Sequence, residues 1–167
     1  MKMLISDLEG RELQGLLLDM SSELTIISKD FPIHHCTGCF GCWTRTPAVC
    51  IIRDKYGDMG EQLSKCEELF IISQCFYGGF SPFVKNILDR SISYIHPYFV
   101  IRNGEMHHRR RYDNVIHMHV WFYGVNITDI EKLTAEKLIK ANSINFNSVV
   151  EDISFYNSIT EMRGQLL

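Results

Sequence analysis

The chain has 167 residues, of which 46% are hydrophobic and 22% are charged, and its formal net charge is −3. This length allows one domain with a full hydrophobic core, and we expect residues 1–167 to form a single domain. The small net charge gives no reason to expect nucleic acid or a membrane as a partner. No segment reaches the roughly 18–20 consecutive apolar residues of a membrane helix.

The first residues, Met1–Ser6, lack the anatomy of a secretory signal because a short apolar run leads directly into charged sequence. We therefore expect the protein to reside in the reducing cytoplasm. In that compartment, cysteines grouped at short spacing typically bind metal or carry redox chemistry rather than form structural disulfides.

The first half of the chain predicts alternating strands and helices. Lys2–Ser6 is a short apolar run typical of a strand, and residues 23–28 predict a second strand. Between them, leucines recur at helical spacing at positions 8, 13, 16 and 17. Asp58 and Glu61 then predict the start of a helix with three apolar residues on one side, namely Met59, Leu63 and Cys66.

The second half continues the alternation. Leu69–Ser73 is a continuous apolar run, as expected for a strand covered on both faces. Ser81 and Pro82 predict the start of a helix that runs to about Tyr94, before a long connection at 96–113. The remaining elements are a strand at Val115–Tyr123, a helix capped by Thr128 and Glu131 with Ile130, Leu133, Leu138 and Ala141 facing inward, and a last strand at Ser148–Tyr156.

This order predicts an α/β fold, a doubly wound three-layer domain with a five-stranded parallel sheet. In such sheets ligands bind in a crevice at the carboxyl ends of the strands. Two unusual segments follow strands and so fall at that edge: a cysteine loop at 34–54 and a glycine-rich turn at 74–82. We therefore expect a site there.

The cysteine loop has the spacing C-x2-C-x2-C-x7-C. Its four thiols could hold a [4Fe–4S] cluster or Zn²⁺, or form a reversible disulfide. Alternatively, several of them are small buried groups beneath a loop that contains Trp43. The four candidate ligands are Cys36, Cys39, Cys42 and Cys50.

The glycine-rich turn joins a predicted buried strand to a capped helix. Its paired glycines, Gly78 and Gly79, would let the backbone approach a flat ligand, and the neighbouring Phe76 and Tyr77 could stack on a planar ring. The other interpretation is a tight strand-to-helix turn whose aromatic residues close the core.

The histidines suggest fewer roles. His117 and His119 alternate on a predicted strand and share one face, which is typical of hydrogen-bonded histidines. His34 and His35 lie beside the cysteines, where they could replace a ligand or donate a proton. The basic run at 107–111 is either a solvated loop or a docking patch for an anion.

The stretch CFYGGFSPFVKNILDR resembles a segment of the flavodoxin-like NAD(P)H-dependent FMN reductases, in which P-x-Y-x-G-x precedes a helix ending K-x-x-x-D-R. The matching residues are Tyr77, Gly79, Lys85, Asp89 and Arg90. The cysteine loop, followed by Asp54, resembles the cysteine loop of the same family, whose iron–sulfur flavoprotein branch binds a [4Fe–4S] centre there.

The resemblance implies an enzyme that passes electrons from NAD(P)H through FMN to a small-molecule acceptor, with no residue needed as general acid or base. It also implies a homo-oligomer whose contacts involve the 96–113 connection and the nearby Tyr94, Tyr98 and Phe99. The residues that it assigns to the flavin are Cys75, Phe76, Tyr77, Gly78, Gly79 and Ser81.

The first loop departs from the family pattern. Relatives place a G-S-x-R-x-x-S/N loop after the first strand to hold the FMN phosphate, whereas this chain has Asp7-Leu8-Glu9-Gly10-Arg11-Glu12. Two like charges about 4 Å apart repel by roughly 4 kcal/mol at an effective dielectric constant of about 20. The alternative function is therefore a degenerate flavodoxin-like domain without FMN, acting as a cysteine-based redox or iron–sulfur protein or as a partner-binding module.

Overall fold

The structure is a computed structural model and describes residues 1–16 and 24–163. The strands in this part of the chain are β1 (Lys2–Ser6), β2 (Leu24–Ile27), β3 (Glu68–Gln74), β4 (Ile95–Arg102), β5 (Glu105–Arg110), β6 (Ile116–Tyr123) and β7 (Ser148–Tyr156). The α-helices are α1 (Gly10–Leu16), α2 (Gly41–Thr44), α3 (Met59–Ser64), α4 (Pro82–Arg90), α5 (Asp129–Phe146) and α6 (Ile159–Met162).

Five strands form one parallel sheet in the order β2-β1-β3-β6-β7. In β3, Leu69 and Ile71 point into one hydrophobic cluster and Ile72 into another, because successive side chains of a strand alternate between faces. Both faces of this strand are buried, which explains its continuous apolar sequence.

Helices cover the two faces of the sheet unequally. The larger cluster packs α3, α4 and α5 on one face, whereas the smaller cluster holds Leu13 of α1 and Met162 of α6 on the other. The three-layer, five-stranded parallel α/β fold predicted from the sequence is confirmed.

The long connection predicted at 96–113 contains an antiparallel hairpin of β4 and β5, which the sequence analysis did not predict. Asn103 and Gly104 form its turn with φ of 51° and 82°. The Asn103-Gly104 pair is a local hairpin signal, but Pro97 and a run of basic residues interrupt the apolar alternation expected of the flanking strands.

Helix ends follow the predicted caps in two cases and not in a third. Ser81 accepts from Val84 N at the start of α4, and Thr128 and Glu131 form the reciprocal capping box of α5. Asp58 makes no such bond at α3, since its carboxylate accepts from the Gln62 side chain instead. The α4 helix ends at Arg90, and Ser91–Tyr94 continue as a 3₁₀ turn. The predicted positions of Leu17 and Glu23 lie outside the described residues.

The inward face predicted for α5 is wrong. Ile130, Leu133 and Ala141 are exposed, whereas Ala135 and Ile139 are fully buried. The buried positions are four residues apart, so the helix contacts the sheet along a narrow stripe. Leu138 does pack against the core at the edge of that stripe.

Candidate functional site

The carboxyl ends of β1, β3 and β6 lie side by side, so the loops that follow them meet at one edge of the sheet. Asp7 ties these loops together. One of its carboxylate oxygens accepts from Gln74 N at 2.9 Å and the other accepts from the Tyr123 hydroxyl at 3.1 Å. Burial raises the pKa of Tyr123, and the charge of Asp7 raises it further, so the phenol remains a donor.

Carboxylates also accept hydrogen bonds from the backbone N–H groups at the start of α1. Glu9 N donates to the Glu12 side chain at 3.1 Å, and Gly10 N donates to Asp30 Oδ1 at 3.2 Å. The Ser28 hydroxyl holds the other oxygen of Asp30 in place. The N–H groups of Glu9 and Gly10 therefore already donate to carboxylates of the protein itself.

The glycine-rich turn is closed on itself. Phe76 and Gly79 exchange two backbone hydrogen bonds of 2.9 and 2.8 Å. Gly78 has φ of +77° and lies so close to α5 that a Cβ at this position would be 2.7 Å from both Glu131 O and Thr134 Cβ. This geometry is that of a tight strand-to-helix turn, but Phe76 and Tyr77 are exposed and do not close the core as that interpretation expected.

The other residues predicted to contact a flavin surround this turn. Tyr77 is 90% exposed, Phe76 is partly exposed, and Ser81 is buried as the cap of α4 with its N–H on Ser73 Oγ. Cys75 is half-buried, and its burial raises the pKa of the thiol. Their assignment to a flavin stays a prediction.

The cysteine loop brings its four thiols around one cavity of about 30 Å³, which Arg90 also lines. Trp43 anchors the loop, because its indole N–H donates to Ile92 O and Ile95 O at 3.2 and 3.0 Å. Among the thiols, Cys42 is buried and Cys50 is half-buried, whereas Cys36 and Cys39 are exposed.

Arg90 provides a buried positive charge beside these thiols. Its side chain is fully buried and donates to both oxygens of Asp54, at 2.7 and 2.9 Å. Its Nε has no hydrogen-bond partner within the described residues. Burial alone would raise the pKa of Asp54, but hydrogen bonds from Arg90, His34 N and Tyr56 N lower it to about 2.

Two thiols of the loop differ in their ionisation. The backbone N–H of Gly41 lowers the pKa of Cys39, and Thr37 and Arg45 add to that effect. Burial raises the pKa of Cys42, and the neighbouring Cys50 raises it further. Cys39 is therefore the more readily ionised of these two thiols, and the thiolate is the reactive form.

The histidines lie elsewhere or point to solvent. On the sheet, His117 pairs with Glu151 at 2.6 Å and His119 pairs with Asp152, as expected for hydrogen-bonded histidines. His34 and His35 are exposed beside the loop. Across residues 1–16 and 24–163, no three His, Cys, Asp or Glu side chains are arranged to hold a metal ion, so the four thiols do not converge on one Zn²⁺.

Sequence reasoning missed the partnership of Asp54 with Arg90. The two residues belong to separate motifs that lie 36 positions apart in the chain, and only the fold brings them into contact. It also missed a groove between α4 and α5 that borders the cysteine loop.

None of the helices in the described ranges is both long and apolar enough to cross a membrane.

No protein-family model and no curated protein matches the chain. Solved structures match it in fold, at low sequence identity. The Trp repressor binding protein from Bacillus subtilis aligns with a TM-score of 0.55 and 10% identity over 95% of this chain and 88% of that one. An FMN-dependent NADH-azoreductase from Bacillus anthracis, in complex with FMN, aligns with a TM-score of 0.53 and 12% identity over 96% and 88%. Azoreductase AzrA aligns with a TM-score of 0.56 and 8% identity over 93% and 86%.

These alignments agree with the flavodoxin-like α/β fold. The residues of the first loop, however, do not fit the phosphate of FMN. The donors that would face a phosphate are bonded to Glu12 and Asp30, and Asp7 adds a third carboxylate at the same edge. A dianion would have to displace these contacts and face several negative charges.

Proposed function

We propose that this protein is an oxidoreductase of flavodoxin-like fold whose redox centre is the cysteine loop rather than a flavin. The observation that carries the proposal is the set of four thiols around one cavity with a buried arginine. The first loop supports it, because the carboxylates of Glu12 and Asp30 already accept from the N–H groups of Glu9 and Gly10.

The proposed reaction joins Cys39 and Cys42 in a reversible disulfide. Two thiols release two protons and two electrons when their sulfurs bond, and a small-molecule acceptor takes up both electrons and both protons. Cys39 is the attacking thiolate because its pKa is lowered and its side chain is exposed. Cys42 is the partner that closes the disulfide from the buried side.

Arg90 lines the same cavity as the four cysteines. Burial alone would lower its pKa, but the hydrogen bonds to Asp54 and the nearby Cys50 raise the pKa, so the guanidinium stays charged beside Cys50. Asp54 fixes the orientation of the guanidinium by binding two of its nitrogens.

The test is disulfide mapping by mass spectrometry in buffers of graded dithiothreitol ratio, with the protein prepared without air. We expect one disulfide between Cys39 and Cys42 that forms and breaks reversibly. Cys39→Ser abolishes this transition, whereas Cys75→Ser, a control outside the loop, leaves it unchanged. A wild-type loop that stays fully reduced at every ratio refutes the proposal.

An iron–sulfur cluster, expected from the spacing of the four cysteines, would require the loop to rearrange, because no three His, Cys, Asp or Glu side chains in residues 1–16 and 24–163 are arranged to hold a metal ion. The same anaerobic preparation is therefore assayed for iron and acid-labile sulfide. Stoichiometric amounts of both would assign the redox centre to a cluster instead of a disulfide.

A flavin-dependent reductase using NAD(P)H is the other candidate, favoured by the fold shared with an FMN-dependent NADH-azoreductase. It requires FMN to be held without the usual phosphate loop. Retention of added FMN through gel filtration, followed by its reduction with NADH or NADPH, would support this candidate. We also propose that the protein works in the cytoplasm, where thiols are kept reduced.

A further inference from the structure

A polar pocket of about 240 Å³ lies between the β4–β5 hairpin and the end of α5. Pockets that bury drug-sized ligands have volumes of roughly 300–1,000 Å³, so this one suits a smaller molecule. It lies where β7 begins, at the opposite end of the sheet from the first loop and the glycine-rich turn. The residues that line it are Arg102, Asn103, Glu105, His107, Arg110, Ser143, Ile144, Asn147 and Ser148.

Two arginines of this lining are close together without an acidic partner of their own. Within the described part of the chain, neither Arg102 nor Arg110 takes part in an ion pair. Arg102 donates to Ile144 O at 3.3 Å and to His108 O at 3.5 Å, which leaves further N–H groups of its guanidinium for a ligand. Burial lowers the pKa of Arg102, and the charge of Arg110 lowers it further. An anion between the two groups would offset their repulsion.

The remaining charges of the pocket leave it positive. Glu105 is 71% exposed and pairs with His107 at 3.2 Å. Two arginines and one glutamate give the lining a net charge of +1 with His107 neutral, and protonation of His107 raises it to +2. Asn103 and Asn147 add uncharged amide groups, and Asn147 already donates one N–H to Asn114 O at 2.7 Å.

The arginines of the basic run at 107–111 have different surroundings. Arg111 is half-buried and donates to two backbone carbonyl groups at 3.0 and 3.4 Å, so it supports the chain. Arg109 is exposed and does not line the pocket, and its charge acts on His96 instead. Arg110 is therefore the arginine of this run that is available to a molecule in the pocket.

We propose that this pocket binds a phosphate dianion, either free or as the phosphate group of a small monoester. A guanidinium donates two parallel N–H bonds to one pair of phosphate oxygens, and a tetrahedral dianion offers enough oxygens for both arginines at once. A single carboxylate has two oxygens and satisfies only one such fork. The site is separate from the cysteine loop and does not depend on the redox function proposed above.

The experiment titrates the protein by calorimetry with inorganic phosphate, methyl phosphate and dimethyl phosphate at about pH 7.5, where a phosphate monoester carries nearly two negative charges. The buffer contains about 0.15 M NaCl, which screens weak attraction to the surface. We expect a Kd of about 1 mM or lower for inorganic phosphate. Dimethyl phosphate carries one charge, and we expect it to bind at least roughly tenfold more weakly.

Methyl phosphate distinguishes the two sources of the dianion. Binding equal to that of inorganic phosphate would assign the pocket to the phosphate group of a larger molecule, whereas much weaker binding would assign it to free phosphate. Absence of saturable binding by both dianions would overturn the proposal, as would equal binding of dimethyl phosphate.

Three single substitutions test whether the pocket, rather than the general charge of the hairpin, binds the anion. We expect Arg110→Gln to weaken the binding of inorganic phosphate roughly tenfold, since a hydrogen-bonded charge is lost. Arg109→Gln removes the same charge from the neighbouring residue outside the lining, and we expect little change. Glu105→Gln removes a negative charge from the lining, and we expect it to strengthen binding several-fold. Equal weakening by Arg109→Gln and Arg110→Gln would overturn the proposal.

The position of the anion is measured by following the backbone amide NMR signals of the wild-type protein as inorganic phosphate is added. We expect saturable shifts at Asn103, Ser143 and Ser148, which line the pocket from the hairpin and from the end of α5. Saturable shifts confined to residues outside the lining would place the phosphate elsewhere and overturn the proposal.

Discussion

Cys39 and Cys42 are three residues apart yet lie in different surroundings. Cys39 is exposed with a lowered pKa, whereas Cys42 is buried with a raised pKa. Because the thiolate is the reactive form, we expect iodoacetamide at pH 7 to modify Cys39 roughly tenfold faster than Cys42. Peptide mapping over time measures both rates in one sample. Modification of Cys42 at an equal or higher rate would contradict this description of the loop.

A second prediction at the scale of one residue concerns Asp54. Its pKa is lowered to about 2 in the folded protein, against about 3.9 for an unperturbed aspartate. A carboxyl whose folded pKa is depressed stabilises the fold fully above the unfolded pKa, and that contribution is lost as the pH falls through the folded pKa.

We therefore expect the difference in unfolding free energy between the wild type and Asp54→Asn to shrink as the pH falls from about 4 toward 2. Above about pH 5 this difference is constant. Urea unfolding of both proteins across this range provides the measurement. A difference that does not change with pH would show that the Asp54 carboxylate is not held by Arg90 as described.

At the scale of elements, the glycine-rich turn is shaped by its contact with α5. In Gly78→Ala the alanine would have to keep a positive φ, and its Cβ would lie 2.7 Å from Glu131 O. We expect it to destabilise the protein by about 2–4 kcal/mol, which combines the left-handed backbone with overpacking. Chemical denaturation gives the value.

Gly104 offers a matched control for this substitution. It has φ of +82°, and nothing lies within 4 Å of the position that a Cβ would take, so Gly104→Ala carries only the backbone cost of about 1–2 kcal/mol. Equal losses for the two variants would mean that the turn does not press on α5.

Local sequence signals predicted those elements whose causes are local. Ser81 with Pro82, and Thr128 with Glu131, are cap signals that need only neighbouring residues, and both were confirmed. The orientation of α5 depends on which face the sheet contacts, and the exposed Ile130 misled that prediction because hydrophobicity alone does not fix the contact. The β4–β5 hairpin is also a local element, and it was missed because Pro97 and the basic run at 107–111 interrupt the apolar alternation of its strands.

The residues of the site stay predictions. The spacing of the cysteines indicated a shared centre, and all four line one cavity, but that placement does not assign them a role. The acidic character of the first loop was also evident from the sequence. The hydrogen bond from Gly10 N at the start of α1, however, goes to Asp30, which follows β2 in the chain. Contacts between residues far apart in the chain, such as Asp54 with Arg90, leave no local signal.

At the scale of the whole molecule, the hairpin exposes an apolar surface. Tyr98, Phe99, Ile101 and Met106 are 64–76% exposed. We propose that this surface joins copies of the chain, as the family resemblance implied for this region, although Tyr94 is buried and cannot take part. We expect Ile101→Glu to lower the mass seen by light scattering after gel filtration, with Val125→Glu, another exposed apolar position, as the control. A wild-type protein that is monomeric at about 100 µM would contradict the proposed association, since a stable dimer would bury the exposed apolar surface of the hairpin.

The fold is one that FMN-dependent enzymes use, but in this chain the chemistry-bearing groups are concentrated in the cysteine loop. The sheet edge that would hold a phosphate is bridged by Asp7, Glu12 and Asp30. The loop after β2 instead combines thiols, a buried cation and a neighbouring groove. The fold alone therefore does not identify the redox centre of this molecule.

The most direct measurement is a reductive titration of protein that is first oxidised with diamide, then incubated with excess FMN and passed through gel filtration. We predict no retained flavin absorbance, and uptake of two electrons per chain by the oxidised protein with the appearance of two free thiols. Stoichiometric FMN that accepts the electrons while the thiol count stays constant would contradict this prediction and place the redox centre at the flavin.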